Sequence, residues 1–90
     1  MTEFHWLNKQ GVESPLGFVV QFTGRFTAEY REGGRVLVID VEDGSSGGKS
    51  AICYSSMSFR AWSSNLEEQQ RVATNFKNAM MFQGLVPVAD

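Results

Sequence analysis

The chain has 90 residues, of which 42% are hydrophobic and 12% aromatic. This length predicts a single domain over residues 1–90, and the composition suffices for one hydrophobic core, which argues against a disordered chain. Eight basic and ten acidic side chains leave a net charge of −2 with no basic stripe, so nucleic acid is not the expected partner. The apolar runs are far shorter than the roughly 20 residues that span a bilayer, so no membrane partner is expected.

The single cysteine, Cys53, excludes an internal disulfide and fits a reducing compartment. The first six residues lack the charged start and the apolar stretch of a signal peptide. The cytoplasm is therefore the expected location.

The first part of the chain predicts one strand with a buried face. Residues 4–7 are too short for an assignment, and residues 11–15 are expected to form a loop. Residues 18–22 alternate between core-type and other side chains, the period of a half-buried strand. Gly24 then interrupts this strand, as either a turn or a bulge.

Two further strands follow, at residues 27–31 and 35–42, joined by a short connection in which Gly33 and Gly34 supply the positive φ angles of a tight hairpin turn. The second of these strands has two different faces. One face is apolar throughout, with Leu37, Ile39 and Val41. The other is apolar at one end and acidic at the other, with Val36, Val38, Asp40 and Glu42.

The glycine-serine segment at residues 43–50 invites comparison with a phosphate-binding loop. That motif requires a glycine at position 43, where this chain has Asp43, and a helix after Ser50. A strand is expected at residues 51–56 instead. The segment therefore predicts a flexible hairpin loop.

The last third of the chain predicts one long helix, at about residues 65–83. Ser64 and Glu67 have the spacing of a capping box at its start, and Gly84 has the position of a left-handed C-terminal cap. One helical face carries the residues expected to pack on the sheet: Val72, Ala73, Phe76, Ala79, Met80 and Gln83. Residues 85–88 are expected to return as a short strand, which Pro87 confines to a sheet edge. The predicted fold class is α+β, an antiparallel meander with this helix on one face.

No catalytic constellation is visible in the sequence. A nucleophilic pair would have to use His5 and Cys53, but Cys53 lies in an apolar strand and is expected to act as a small core residue. One histidine and one cysteine cannot form a closed metal site, and the acids lack calcium-loop spacing. We therefore expect no enzyme activity, no metal and no cofactor.

Acidic residues gather in two segments, at the end of the third strand (Glu42, Asp43) and at the helix start (Glu67, Glu68). They form either a solvated surface with weak cross-strand pairs or a surface complementary to a basic partner. Trp62, just before the helix, either belongs to the core or serves as an exposed anchor of that surface. The expected partner-binding residues are Glu42, Asp43, Trp62, Glu67 and Glu68.

The hydrophobic residues at the helix end have two interpretations. Met80 belongs to the packed face, whereas Met81 and Phe82 drift away from it. If Met81 and Phe82 are exposed together, they mark a contact surface.

The stretch from residue 26 to residue 88 combines the strands and the helix described above with Tyr30, Gly33, Arg35, Trp62, Phe82 and Gly84. In this organisation and at these positions it resembles small bacterial immunity proteins that are encoded beside polymorphic toxins, including those of contact-dependent growth inhibition. The resemblance implies an antidote that binds one toxin domain and blocks it by occlusion. Many toxin domains of this type are nucleases with basic substrate grooves. The chain would act as a monomer or weak homodimer. The alternative is a small ligand- or peptide-binding accessory module that uses the open sheet face.

Overall fold

The computed structural model describes residues 4–89, so residues 1–3 and 90 of the predicted domain lie outside the described residues. Its elements run in chain order as a meander, one helical segment and a final strand. They are β1 (His5–Asn8), β2 (Gly11–Ser14), β3 (Phe18–Gly24), β4 (Thr27–Glu32), β5 (Arg35–Ser46), β6 (Lys49–Tyr54), a 3₁₀ helix (Ser56–Ala61), α1 (Leu66–Phe82) and β7 (Val86–Ala89). Among these residues no helix is long and apolar enough to cross a membrane.

The strands of residues 4–89 form one seven-stranded sheet in the order β1-β2-β3-β4-β5-β6-β7. Neighbours pair antiparallel up to β6, and β7 pairs parallel with β6 at the edge. The α+β prediction, with a meander, one long helix and a short final edge strand, is confirmed. Since a parallel pair needs a long crossover, the 3₁₀ helix and α1 together supply the connection from β6 to β7.

The long strand β5 changes partners along its length. Residues 35–40 pair with β4, and residues 41–46 pair with β6. The predicted loop at residues 43–50 is wrong in extent, because the ladder continues to Ser46 and resumes at Lys49. Only Gly47 and Gly48 form the turn, with φ angles of 57° and 80°. The turn joins two strands, as the hairpin interpretation requires, and no helix follows it to make a phosphate-binding loop.

The predicted loop at residues 11–15 is also wrong, because residues 11–14 form strand β2. β2 pairs with β3 and places Val12, which is fully buried, opposite Val20. At Gly24 the ladder between β3 and β4 shifts register. Gly24 is also the last residue of β3, before a tight connection to β4. The predicted hairpin turn at Gly33 and Gly34 is confirmed by φ angles of 59° and 79°.

The helix packs its predicted face on the sheet. Val72, Phe76, Ala79 and Met80 are fully buried and belong to one cluster with Leu37 and Ile39, while Phe22 packs against it partly buried. At the helix end Gly84 has a φ of 80°, its N–H donates to the Met81 carbonyl, and the Leu85 N–H donates to the Met80 carbonyl. These two bonds are those of a Schellman motif, so the predicted C-terminal cap is confirmed.

The predicted capping box at Ser64 and Glu67 is wrong by one residue. The N-cap is Asn65, whose Oδ1 accepts from the N–H groups of Glu67 at 2.8 Å and Glu68 at 3.3 Å. Asparagine matches serine as an N-cap, so the spacing rule alone could not choose between the two neighbours.

We expect Asn65→Ala to lower the unfolding free energy by about 1 kcal/mol, because two helix N–H groups lose their acceptor. Ser64→Ala is the matched control, and it should change the unfolding free energy by less than about 0.5 kcal/mol. Urea unfolding followed by circular dichroism measures both. Equal losses in the two variants would contradict the assignment of the cap to Asn65.

Candidate protein-binding surface

The sheet has two unlike faces. The inner face lies against α1, and strand β5 contributes Leu37, Ile39 and Val41 to it, each at most 5% exposed. The outer face of the same strand carries Val36 and Val38, which are 56% and 53% exposed. Asp40 and Glu42 continue this outer row and are also exposed. The predicted division of β5 into an apolar buried face and a mixed exposed face is confirmed.

We call the outer residues of β5, namely Val36, Val38, Asp40 and Glu42, the outer stripe. Same-face neighbours along a strand lie about 6.6–7 Å apart, so the stripe extends over roughly 20 Å. On the adjacent strand β4 it meets Arg31, opposite Val36, and Glu29, opposite Val38. The stripe is thus an apolar segment that continues into an acidic one, with polar side chains beside it.

A shallow cleft of about 170 Å³ lies where β5 passes from β4 to β6. Asp40 and Glu42 line it together with Cys53, which pairs with Glu42 across the ladder. Cys53 is half-buried, and its sulfur would lie only 3.2 Å from a Cβ added at Gly44 on the same face. The thiol therefore opens on the outer face, and the prediction that Cys53 acts as a small core residue is only partly correct.

His5 and Cys53 do not form a pair. The His5 imidazole contacts the Glu13 carboxylate at 2.8 Å, and strands β2 to β5 separate β1 from β6 in the sheet. Within residues 4–89, no group of three or more His, Cys, Asp or Glu side chains is arranged to hold a metal ion.

Trp62 is not an exposed anchor. Its side chain is 5% exposed, its ring lies edge-on to Tyr30 at 5.4 Å, and the Arg35 guanidinium covers its face at 3.8 Å. Arg35 also donates a hydrogen bond to the Trp62 carbonyl. The interpretation of Trp62 as an exposed anchor is therefore wrong, and the core interpretation is correct.

The two acidic pairs do not form one region. Glu68 accepts two hydrogen bonds from Arg71, at 2.8 and 3.0 Å, and the same guanidinium binds Glu32 at the end of β4 at 3.0 and 3.1 Å. The helix start is thus anchored beside Arg35, which is opposite Glu32 in the ladder.

Glu42 lies seven residues further along β5, about 23 Å from Arg35. Glu67 is exposed at the helix start, and Asp43 is exposed beside Glu42.

The ion pairs at the helix start are structural. The Arg71 hydrogen bond lowers the pKa of Glu68. Burial by itself would raise the pKa of Glu32, but hydrogen bonds from Arg71 and Tyr30 outweigh burial and lower it. Burial raises the pKa of the Tyr30 hydroxyl, which donates to Glu32 at 2.7 Å and accepts from Asn75 at 3.0 Å. These groups tie α1 to β4.

A second exposed apolar region lies where the end of α1 meets β1. Phe82 is 43% exposed, with its ring 5.4 Å from Phe4 and 6.0 Å from Trp6, and Met81 is exposed beside it. Phe82 therefore packs on the N-terminal strand instead of standing free. The alternation of Phe4 and Trp6 is the signal that could have predicted β1.

No protein-family model, curated protein or solved structure matches this chain.

Proposed function

We propose that this protein binds a protein partner and neutralises it, as an immunity protein that occludes a toxin domain in the bacterial cytoplasm. The observation that carries the proposal is the open outer face of the sheet, whose outer stripe exposes Val36 and Val38. The proposal assigns no catalytic group, metal or cofactor to the chain. The resemblance of residues 26–88 to immunity proteins supports the choice of a toxin domain as the partner.

The open face has the anatomy of an interface. Valines that are more than half exposed on a flat strand surface leave apolar area in water that a partner can cover. Polar side chains surround them: Arg31 donates to Gln21 at 2.8 Å on the adjoining strands, and Asp40 continues the stripe. An apolar centre with a polar rim is typical of protein–protein interfaces.

A peptide-binding module would use the same open face and is the second candidate function. The two functions differ in what the face binds. An immunity protein binds a folded toxin domain and abolishes its toxicity, whereas a peptide-binding module binds extended segments and leaves a toxin active.

The test uses the product of the gene directly upstream of the gene for this chain, which the proposal expects to contain the toxin domain. Co-expression should restore growth of cells that produce the toxin, and the two chains should co-elute as a one-to-one complex in gel filtration. Val36→Thr with Val38→Thr keeps β-branched side chains on the strand but makes the stripe polar. We expect this double variant to bind the toxin roughly tenfold more weakly, since each valine loses apolar contact.

The control is Val88→Thr, the same substitution at an exposed position of edge strand β7. It should leave toxin affinity and growth protection unchanged. Failure of the native chain to protect cells would contradict the immunity proposal. Protection that survives unchanged in the Val36→Thr, Val38→Thr variant would exclude the outer stripe as the binding surface.

A further inference from the structure

The outer stripe carries two acids that lack a basic partner. Four other carboxylates in residues 4–89 lie against basic groups: Glu13 contacts His5, Glu29 lies 4.0 Å from Arg31, and Glu32 and Glu68 share Arg71. Asp43 and Glu67 also form no ion pair within these residues, but neither lines the cleft. No hydrogen bond or ion pair within the same residues reaches the carboxylate of Asp40 or Glu42. The fold thus leaves two carboxylates without counter-charges on one strand face.

These two carboxylates flank a concave surface. The cleft at the partner change of β5 is lined by Asp40, Val41 and Glu42 of β5 and by Cys53, Tyr54 and Ser55 at the end of β6. Its volume of about 170 Å³ admits the end of one long side chain but not a folded element. The exposed valines of the stripe continue directly from Asp40 along the strand.

We propose that this cleft receives the ammonium or guanidinium group of a lysine or arginine from the protein partner, while an apolar residue of the same partner segment rests on Val36 and Val38. The inference rests on the proposed function, because it names the chemistry of the partner that the open face binds. It commits to a basic and apolar segment of a folded protein. Charge complementarity supports this choice of partner, because unpaired carboxylates beside exposed valines match a cation beside an apolar side chain.

The orientation of the partner follows from the stripe. The carboxylates lie at the β6 end and the valines at the β4 end of the outer row, so the basic residue must lie about two strand positions, or roughly 7 Å, from the apolar one. Binding should therefore depend on the spacing of the two residues as well as on their types.

Cys53 provides a test that needs no partner, because it is the single cysteine of the chain and lines the cleft. Its thiolate can displace methanesulfinate from trimethylammonioethyl methanethiosulfonate, which is a cation, or from sulfonatoethyl methanethiosulfonate, which is an anion. The measured quantity is the rate constant for the cationic reagent divided by that for the anionic reagent, normalised by the same ratio for free cysteine. We expect this normalised ratio to be roughly ten at low salt and to fall as the salt concentration rises.

Asp40→Asn with Glu42→Gln should bring the normalised ratio close to one, the value of free cysteine. Asp43→Asn with Glu67→Gln is the matched control, because it removes the same amount of charge from exposed acids that do not line the cleft. This control should keep most of the selectivity for the cation. Equal ratios in the native chain and the Asp40→Asn, Glu42→Gln variant would overturn the inference and leave the proposed function standing.

The second arm measures how fast a neutral thiol reagent, N-ethylmaleimide, labels Cys53 in the complex with the toxin domain. We expect at least tenfold slower labelling than in the free chain, because the partner's cation and its backbone cover the cleft. A stable complex in which Cys53 stays fully reactive would overturn the cleft inference alone. Absence of any complex would instead overturn the proposed function, and this inference with it.

Discussion

Phe76→Ala is expected to lower the unfolding free energy by about 3–5 kcal/mol, the usual cost of deleting a fully buried phenylalanine ring. The ring is 0% exposed and lies 5.2 Å from the ring of Tyr54 on β6 and 5.8 Å from that of Phe59 in the 3₁₀ helix. Its removal leaves a cavity where the helix, the 3₁₀ segment and the sheet meet. Urea unfolding monitored by circular dichroism measures the change.

The size of this effect depends on the length of the chain. A domain of 90 residues typically has an unfolding free energy of about 5–15 kcal/mol, so a loss of 3–5 kcal/mol removes a large part of it. Met81→Ala is the control on the same helix, because Met81 is 55% exposed. It should change the unfolding free energy by less than about 0.5 kcal/mol. Comparable losses in the two variants would contradict the packing of α1 on the inner sheet face.

The parts of the fold that the sequence predicts are those with a strong local period. The helix repeats apolar residues over four turns, and β5 alternates Leu37, Ile39 and Val41 with exposed residues, so each element reveals its own buried face. Gly33, Gly34 and Gly84 mark positive φ angles that few other residues adopt. In these elements local preference and tertiary structure agree.

The missed elements depend on their neighbours. β2 has only four residues and starts with a glycine, so its sequence gives a weak strand signal. The neighbouring strand holds it in the sheet, since Gly11 is buried with Gln21 of β3 against it. The segment from Gly44 to Ser46 has poor strand propensity, yet it stays in the ladder because β6 pairs with it residue by residue. Strand assignment there follows from cross-strand pairing, which a single sequence does not display.

The candidate surface was only partly predictable for the same reason. The sequence shows that Asp40 and Glu42 share a face with Val36 and Val38. It does not show which acids acquire a basic partner, because Arg71 reaches Glu32 across 39 positions of the chain. Pairing of Glu32 and Glu68 removes them as free charges, and Asp40 and Glu42 are distinguished by the cleft that they line in the folded protein.

Trp62→Ala is expected to lower the unfolding free energy by about 3–5 kcal/mol, because the indole fills a buried position between the sheet and the helical segment. Two specific contacts go with it: the edge-on packing against Tyr30 at 5.4 Å and the stacking of Arg35 at 3.8 Å. Loss of the stacked ring also removes the surface on which the Arg35 guanidinium lies, and a cation–π contact of this kind contributes about 0.5–2 kcal/mol. Thermal or urea unfolding of the two chains measures the difference.

Because Trp62→Ala can reduce partner binding merely by unfolding the chain, Trp62→Phe separates a core role from an anchor role. The indole N–H has no acceptor in hydrogen-bond geometry within residues 4–89, although the Glu68 carboxylate lies beside it, so phenylalanine loses ring area and no hydrogen bond. We expect Trp62→Phe to cost about 1–2 kcal/mol of stability and to bind the toxin domain with native affinity. An interface anchor would instead lose 2 kcal/mol or more of binding free energy on truncation. A folded Trp62→Phe chain with more than about thirtyfold weaker binding would therefore return Trp62 to the partner surface, and it would require the helix start to open when the complex forms.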